Sequence, residues 1–115
     1  MIFFYWEISA FDLSPPGNFV GYVTGDRGVK LAWEVTSPSN DTVFELRWRA
    51  NSDESFMVVS GTTNNVTVRG LRVYTKYFFR IRKGLVNGTW GGFTKYTHVW
   101  TPEGGTVRIL EVAAH

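Results

Sequence analysis

The chain has 115 residues, which is enough for one ordinary domain and too few for two. Hydrophobic residues make up 43% of it and charged residues 19%, a composition typical of a globular protein and not of a disordered one. The absence of cysteine excludes a disulfide framework and a thiolate nucleophile, and a net charge of +2 singles out neither nucleic acid nor a membrane surface as a partner.

The first half of the chain predicts strands, because apolar residues alternate with polar ones in short runs bounded by Gly, Pro, Asn and Ser. Residues 19–24, 29–35 and 43–49 show this pattern. In the third run one face is apolar, and the opposite, solvent-facing side carries Glu45, Arg47 and Arg49. We expect the acidic side chains here to be solvated charges.

The second half continues in the same way, with predicted strands over residues 56–59, 66–68, 77–85 and 95–101. No 11-residue window sustains a helical period. Seven short strands of this kind predict an all-β fold, in which two antiparallel sheets pack face to face as a Greek-key sandwich. The predicted strand over 77–85 directs Tyr77, Phe79 and Ile81 to one face and Phe78, Arg80 and Arg82 to the other.

The seven predicted strands, from residue 19 to residue 101, indicate one domain. Residues 1–13 are predicted to be an extra N-terminal strand or a linker. Residues 104–115 follow a Pro/Gly breaker and are strand-like as well, so they are either an extra C-terminal strand or the start of a neighbouring module. The sequence leaves these alternatives open.

Five segments carry a family signature: Pro15-Pro16, 31–34, 44–48, Thr101-Pro102 and, most specifically, 70–77, which is similar to the motif G-L-x-P-x-T-x-Y with Val73 in place of proline. Together they resemble a fibronectin type III domain over residues 14–103, which implies an immunoglobulin-like sandwich. The resemblance implies a tyrosine corner, in which the hydroxyl of Tyr77 bonds to upstream backbone. It also implies that Trp33 and Leu71 are core residues.

A second resemblance lies in Arg80-Ile81-Arg82 followed by 90–94, which is similar to the W-S-x-W-S box of haematopoietic cytokine receptors. The sequence departs from that box at both serines and at the second tryptophan. The resemblance implies that Trp90 stacks on Arg80 or Arg82. The alternative is that these are ordinary surface residues, and modules of receptor phosphatases, receptor kinases and adhesion molecules fit about as well.

Three acceptor sequences for N-glycosylation occur, at Asn40, Asn65 and Asn87, where about one is expected by chance. All three fall in predicted loops or at a strand start. They favour a secreted or cell-surface setting, although Asn, Gly and Thr are also common in turns for conformational reasons.

A catalytic or cofactor-dependent role is not supported by the sequence. The only imidazoles, His98 and His115, have no predicted partner to orient them as bases, and the acidic residues are too scattered to bind a metal. We therefore predict no enzyme activity, no cofactor and no metal. Nucleic-acid binding is disfavoured by the small net charge.

These observations predict an extracellular, non-catalytic module that binds a protein ligand or a neighbouring domain and spaces its neighbours in a receptor or adhesion protein. The predicted contact loops are residues 37–41, 51–55 and 87–93. No membrane contact by this segment is expected, and the oligomeric state is left open. The competing hypothesis is a spacer module of a secreted carbohydrate-active enzyme.

Overall fold

The computed structural model describes residues 12–25 and 27–102. The described residues form eight strands and no helix. In chain order the strands are β1 (Val20–Gly25), β2 (Gly28–Ala32), β3 (Thr42–Arg49), β4 (Ser55–Ser60), β5 (Asn65–Val68), β6 (Lys76–Leu85), β7 (Trp90–Phe93) and β8 (Thr97–Trp100).

The strands form two antiparallel sheets that pack as a sandwich. The three-stranded sheet has the order β1-β2-β5. The five-stranded sheet has the order β4-β3-β6, and both β7 and β8 pair with the far edge of β6. The all-β sandwich is confirmed, and its crossing between sheets after β2, β4 and β5 is the Greek-key connection.

The described residues form eight strands where seven are predicted, because residues 90–93, predicted to be part of a loop, form β7. Phe93 in β7 is opposite Arg82, and β8 is opposite the first half of β6 from Phe79 to Lys76. The adjacent residues Gly91 and Gly92 favour a loop over a strand in this segment. Glycine has a low strand propensity and weakens an isolated strand, but backbone pairing with β6 stabilises β7.

The predicted strand over 29–35 is also too long, since β2 ends at Ala32. Beyond that point the backbone changes its hydrogen-bond partner. The N–H of Trp33 donates to the carbonyl of Asn64 at 3.0 Å, whereas the N–H of Glu34 donates to the carbonyl of Gly17 at 3.0 Å. Residues 12–17 thus cover this end of the sandwich in place of a continued strand.

The core lies between the sheets and is formed by the inward residues of both. Trp33 is 4% exposed, and its ring meets the ring of Phe44 edge-on at 5.6 Å between centroids. Val66 is partly buried and packs against the margin of this core. The buried apolar residues are Val29, Leu31, Trp33, Phe44, Leu46, Val68, Leu71, Tyr77, Phe79, Ile81 and Val99.

The sandwich has two ends, and most successive connections between strands alternate between them. The N-terminal pole comprises residues 12–18, 33–41, 61–64 and 86–89, because β2, β4 and β6 end there. The C-terminal pole comprises Arg27, the β3–β4 loop (50–54), the β5–β6 loop (69–75) and residues 101–102. The described chain therefore enters at one pole and leaves at the other.

The predicted terminal strands over 1–13 and 104–115 fall almost wholly outside the described residues. Across residues 12–25 and 27–102, no helix has the length and hydropathy needed to cross a lipid bilayer.

Candidate functional site

The β5–β6 loop is tied to its following strand through Tyr77. The side chain of Tyr77 is 8% exposed, and its hydroxyl accepts a hydrogen bond from the backbone N–H of Arg72 at 3.0 Å. Leu71, 5% exposed, closes the sandwich beside it. Gly70 adopts a φ of +75°, which favours glycine, so the residue that opens the motif also permits the turn.

The outer face of the five-stranded sheet carries a row of alternating rings and cations. Every second residue of β6 from Lys76 to Arg82 faces outward and belongs to this row. The segment from β7 to β8 supplies rings that lie between the outward residues of β6. We call this row the cation–aromatic ladder. Its members in order are Trp90, Arg82, Phe93, Arg80, Tyr96, Arg49, Phe78, Lys76 and Trp100.

Each cation of the ladder lies between two rings at stacking distance. The Cζ atom of Arg82 is 4.4 Å from the ring centroid of Trp90 and 4.7 Å from that of Phe93. That of Arg80 is 4.1 Å from Phe93 and 5.2 Å from Tyr96. At an exposed site one such contact contributes about 0.5–1 kcal/mol. Of the two arginines considered from the sequence, Arg82 is the one that lies over Trp90.

Gly84 allows the first ring of the ladder to lie flat on the sheet. It is opposite Trp90 in the β6–β7 pairing, and a Cβ atom at this position would overlap the six-membered ring of the indole. A larger residue at 84 would therefore displace Trp90 from Arg82.

Two carboxylates lie beneath the arginines and neutralise part of their charge. Glu45 accepts hydrogen bonds from Arg82 at 2.8 Å and from Arg47 at 3.0 Å, and its side chain is only 7% exposed. The expectation that Glu45 is a solvated charge is therefore wrong. Although it is on the outward face, the long arginine stems on β3 and β6 cover it.

Glu54 forms the second half of this network. It accepts hydrogen bonds from Arg47 at 3.1 Å and from Arg80 at 3.2 Å. Desolvation acts to raise the pKa of Glu54, but the hydrogen bonds from Arg80 and Arg47 and their positive charges outweigh it, so the pKa is lowered. Arg47 bridges both carboxylates and links the ladder to the edge next to β4.

The ladder residues on β6 could be read from sequence alternation, but most of the others could not. Phe93, Tyr96 and Trp100 come from β7, β8 and the segment between them, and they join the row because both strands pair with β6. Arg49 enters it from β3 through pairing with Phe78. The register between distant strands, which no local pattern contains, decides these neighbours.

The three sequon asparagines lie at one end of the molecule. Asn40 and Asn87 are exposed at the N-terminal pole on adjoining loops, since the N–H of Val86 bonds to the carbonyl of Asp41 at 3.0 Å. Asn65 is exposed at the start of β5, opposite Ala32 at the end of β2. A glycan on any of them would extend from the same pole.

The predicted contact loops do not form one surface. Residues 37–41 and 87–89 lie at the N-terminal pole, whereas 51–55 lies at the opposite pole. Residues 90–93 are a strand and not a loop, with Trp90 and Phe93 held in the ladder.

Residues with the potential for catalysis or metal binding are scattered. His98 is exposed on β8, with its ring 6.3 Å from that of Phe78. Within residues 12–25 and 27–102 no group of three or more His, Asp or Glu side chains is close enough to hold a metal ion. His115 lies outside the described residues.

The family model for the fibronectin type III domain matches residues 14–108. The chain therefore belongs to the fibronectin type III family, and the resemblance seen in the motif ending at Tyr77 is confirmed. No curated protein sequence matches it significantly.

Solved structures share the fold at low sequence identity. The chicken CNTN1 FN1–FN3 domains match with a TM-score of 0.70 at 13% identity, over 80% of this chain and 33% of that chain. The FN5 domain of Drosophila Lar matches with a TM-score of 0.66 at 16% identity, over 81% of this chain and 100% of that one. A family 76 glycoside hydrolase from a bovine Bacteroides thetaiotaomicron strain matches with a TM-score of 0.64 at 15% identity, over 76% and 21% respectively.

Proposed function

We propose that this chain is a non-catalytic, extracellular module of a cell-surface receptor or adhesion protein, which spaces its neighbouring domains and binds a protein partner. The observation that carries the proposal is the separation of the two ends of the sandwich. The chain enters at the N-terminal pole, where all three sequons are exposed, and leaves at the C-terminal pole. A module with this polarity sets its neighbours a full domain length apart.

The surface chemistry supports a binding role. The cation–aromatic ladder holds Arg, Trp and Tyr side chains in fixed positions, and these residue types are common anchors of protein interfaces. The rings and the carboxylates beneath already order the arginines. Contact with a partner would therefore cost these arginines little additional side-chain entropy. The structural neighbours from CNTN1 and Lar are consistent with such a module.

Secretory expression tests the location. We expect the chain produced in mammalian cells to carry N-glycans at Asn40, Asn65 and Asn87, detected as three losses of mass on enzymatic deglycosylation. Variants with Gln at one asparagine each should lose one glycan each, while Asn18→Gln, which lies in no acceptor sequence, should lose none.

The second candidate is a spacer module of a secreted carbohydrate-active enzyme. The match to a glycoside hydrolase favours it, since that protein contains a region of the same fold. It predicts that all three asparagines stay unmodified after passage through the secretory pathway. That result would remove the support for a receptor or adhesion protein and favour this alternative.

A further inference from the structure

A cleft of about 380 Å³ opens at the C-terminal pole, between the β3–β4 loop and the β5–β6 loop. This volume is within the range of sites that hold small ligands or single side chains. Trp48 and Ala50, which are partly buried, also line it, and the buried side chain of Leu71 lies at its base. The charged residues that line it are Arg49, Arg69, Arg72 and Asp53.

Two of these arginines have guanidinium groups with no partner among residues 12–25 and 27–102. The side chains of Arg69 and Arg72 are exposed and form no ion pair or hydrogen bond with another described residue. Arg47, Arg80 and Arg82 differ, because each of them binds a carboxylate. The cleft therefore offers two cations that no described side chain neutralises.

The backbone that carries these cations is fixed. The N–H of Leu71 bonds to the carbonyl of Arg27 at 3.0 Å, and the Nε of Arg27 donates to the carbonyl of Leu71 at 2.6 Å. The N–H of Arg72 is held by Tyr77. Arg49 is restrained from the other side, since it donates to the carbonyl of Asn51 at 3.0 Å. The cleft is thus largely formed before any ligand arrives.

Charge is distributed unequally between the poles. The N-terminal pole carries three described carboxylates, Asp12, Glu34 and Asp41, together with the sequons. At the C-terminal pole the carboxylate of Glu54 is already bound to arginines, and the other charged residues described there are Asp53, Arg27, Arg69 and Arg72. Two further cations, Arg49 at the end of β3 and Lys76 at the start of β6, lie next to this pole.

We propose that this cleft binds an acidic peptide segment of the protein partner, with carboxylates on Arg69 and Arg72 and an apolar side chain against Trp48. Guanidinium groups bind carboxylates in a bidentate way, which gives both affinity and orientation. The partly buried side chains of Trp48 and Ala50 give the cleft an apolar portion. This portion favours a peptide over a sulfated polysaccharide, which has no apolar side chain to bury. The proposal rests on the binding role of the proposed function and assigns that role to the pole opposite the sequons.

Fluorescence anisotropy with a fluorescein-labelled peptide of sequence EELEEL tests the proposal. We expect wild-type protein to bind it and to bind the matched QQLQQL peptide about tenfold or more weakly. Affinity should fall as salt is raised from about 50 to about 300 mM, because both charge partners are at the surface. The double variant R69Q/R72Q should lose about tenfold in affinity.

The control is K30Q/K95Q, which removes the same charge from β2 and from the segment between β7 and β8. It should bind EELEEL within about twofold of wild type. If both double variants weaken peptide binding equally, overall charge explains the loss of affinity, and the proposed binding site in the cleft is overturned. So would equal binding of EELEEL and QQLQQL, absence of binding to wild type, or a heparin oligosaccharide that competes for Arg69 and Arg72 and binds more tightly than the peptide. None of these results alters the glycan occupancy that tests the extracellular role.

Discussion

The two faces of β6 have opposite character. Toward the core, Phe79 and Ile81 are fully buried among apolar side chains. Toward solvent, Phe78 and Arg82 are half-buried in the cation–aromatic ladder. The inner face excludes water and provides the main free energy of folding, whereas the outer face fixes the positions of polar groups at little net gain. The same strand thus has one face that stabilises the fold and one face that positions charged and aromatic side chains.

The largest test of this difference replaces adjacent phenylalanines. Phe79→Ala should lower the free energy of unfolding by about 3–5 kcal/mol, because it leaves a cavity between the sheets. Phe78→Ala, one residue away on the other face, should cost about 1–2 kcal/mol, from partial burial and the contacts with Arg49 and Lys76. Urea unfolding measures both. Equal losses would mean that the outer face is as important to folding as the core.

The next effect concerns the carboxylate beneath the ladder. Glu45→Gln should lower the free energy of unfolding by about 2 kcal/mol, since Arg47 and Arg82 lose the negative charge that their partly covered guanidinium groups face. Glu34→Gln is the control, because Glu34 is exposed at the N-terminal pole and accepts a hydrogen bond that glutamine can also accept. A Glu45→Gln variant as stable as this control would show that the network contributes nothing net.

The tyrosine corner gives a smaller change on the inner side. Tyr77→Phe keeps the buried ring but leaves the N–H of Arg72 without its acceptor, which should cost about 1 kcal/mol of unfolding free energy. Tyr22→Phe on β1, where the side chain is 50% exposed, should cost nothing measurable. Thermal unfolding of the two variants side by side checks the difference, and identical midpoints would remove the corner as a stabilising contact.

The ladder order can be checked one contact at a time. Arg82→Met should shift the indole N–H resonance of Trp90 in a proton–nitrogen correlation spectrum, because Arg82 lies over that ring. Arg80→Met should leave it in place, since Arg80 lies between Phe93 and Tyr96. Each replacement should cost about 0.5–1 kcal/mol in stacking, besides the lost ion pair. A Trp90 shift with Arg80→Met alone would refute this order of rings and cations.

The smallest expected effect is the acid dependence of the network. The pKa of Glu54 is lowered in the folded protein, so its contribution to stability is present above its unfolded pKa and is lost as pH falls through the folded value. Wild type should therefore lose more stability than Glu54→Gln when urea unfolding at about pH 7 is compared with unfolding at about pH 3. Parallel losses in the two proteins would show that other groups account for the acid sensitivity.

The amino-acid sequence by itself determined the class, the family and much of the core. Alternation placed Trp33, Leu46 and Phe79 inward, because a strand whose face is buried must repeat apolar residues with a period of two. The motif from Gly70 to Tyr77 indicated the fold. It could do so because its loop is determined locally, by the backbone conformation of Gly70 and the hydroxyl of Tyr77. Such features are encoded within a few residues of one another.

Only the tertiary structure decided how distant residues combine. The burial of Glu45, the split between β7 and β8, and the neighbours of each arginine in the ladder all depend on the register between strands far apart in sequence. The gathering of the sequons at one pole and of Arg69 and Arg72 in a cleft at the other has the same origin. Side-chain alternation is local, but which strands become neighbours is a property of the whole packed chain.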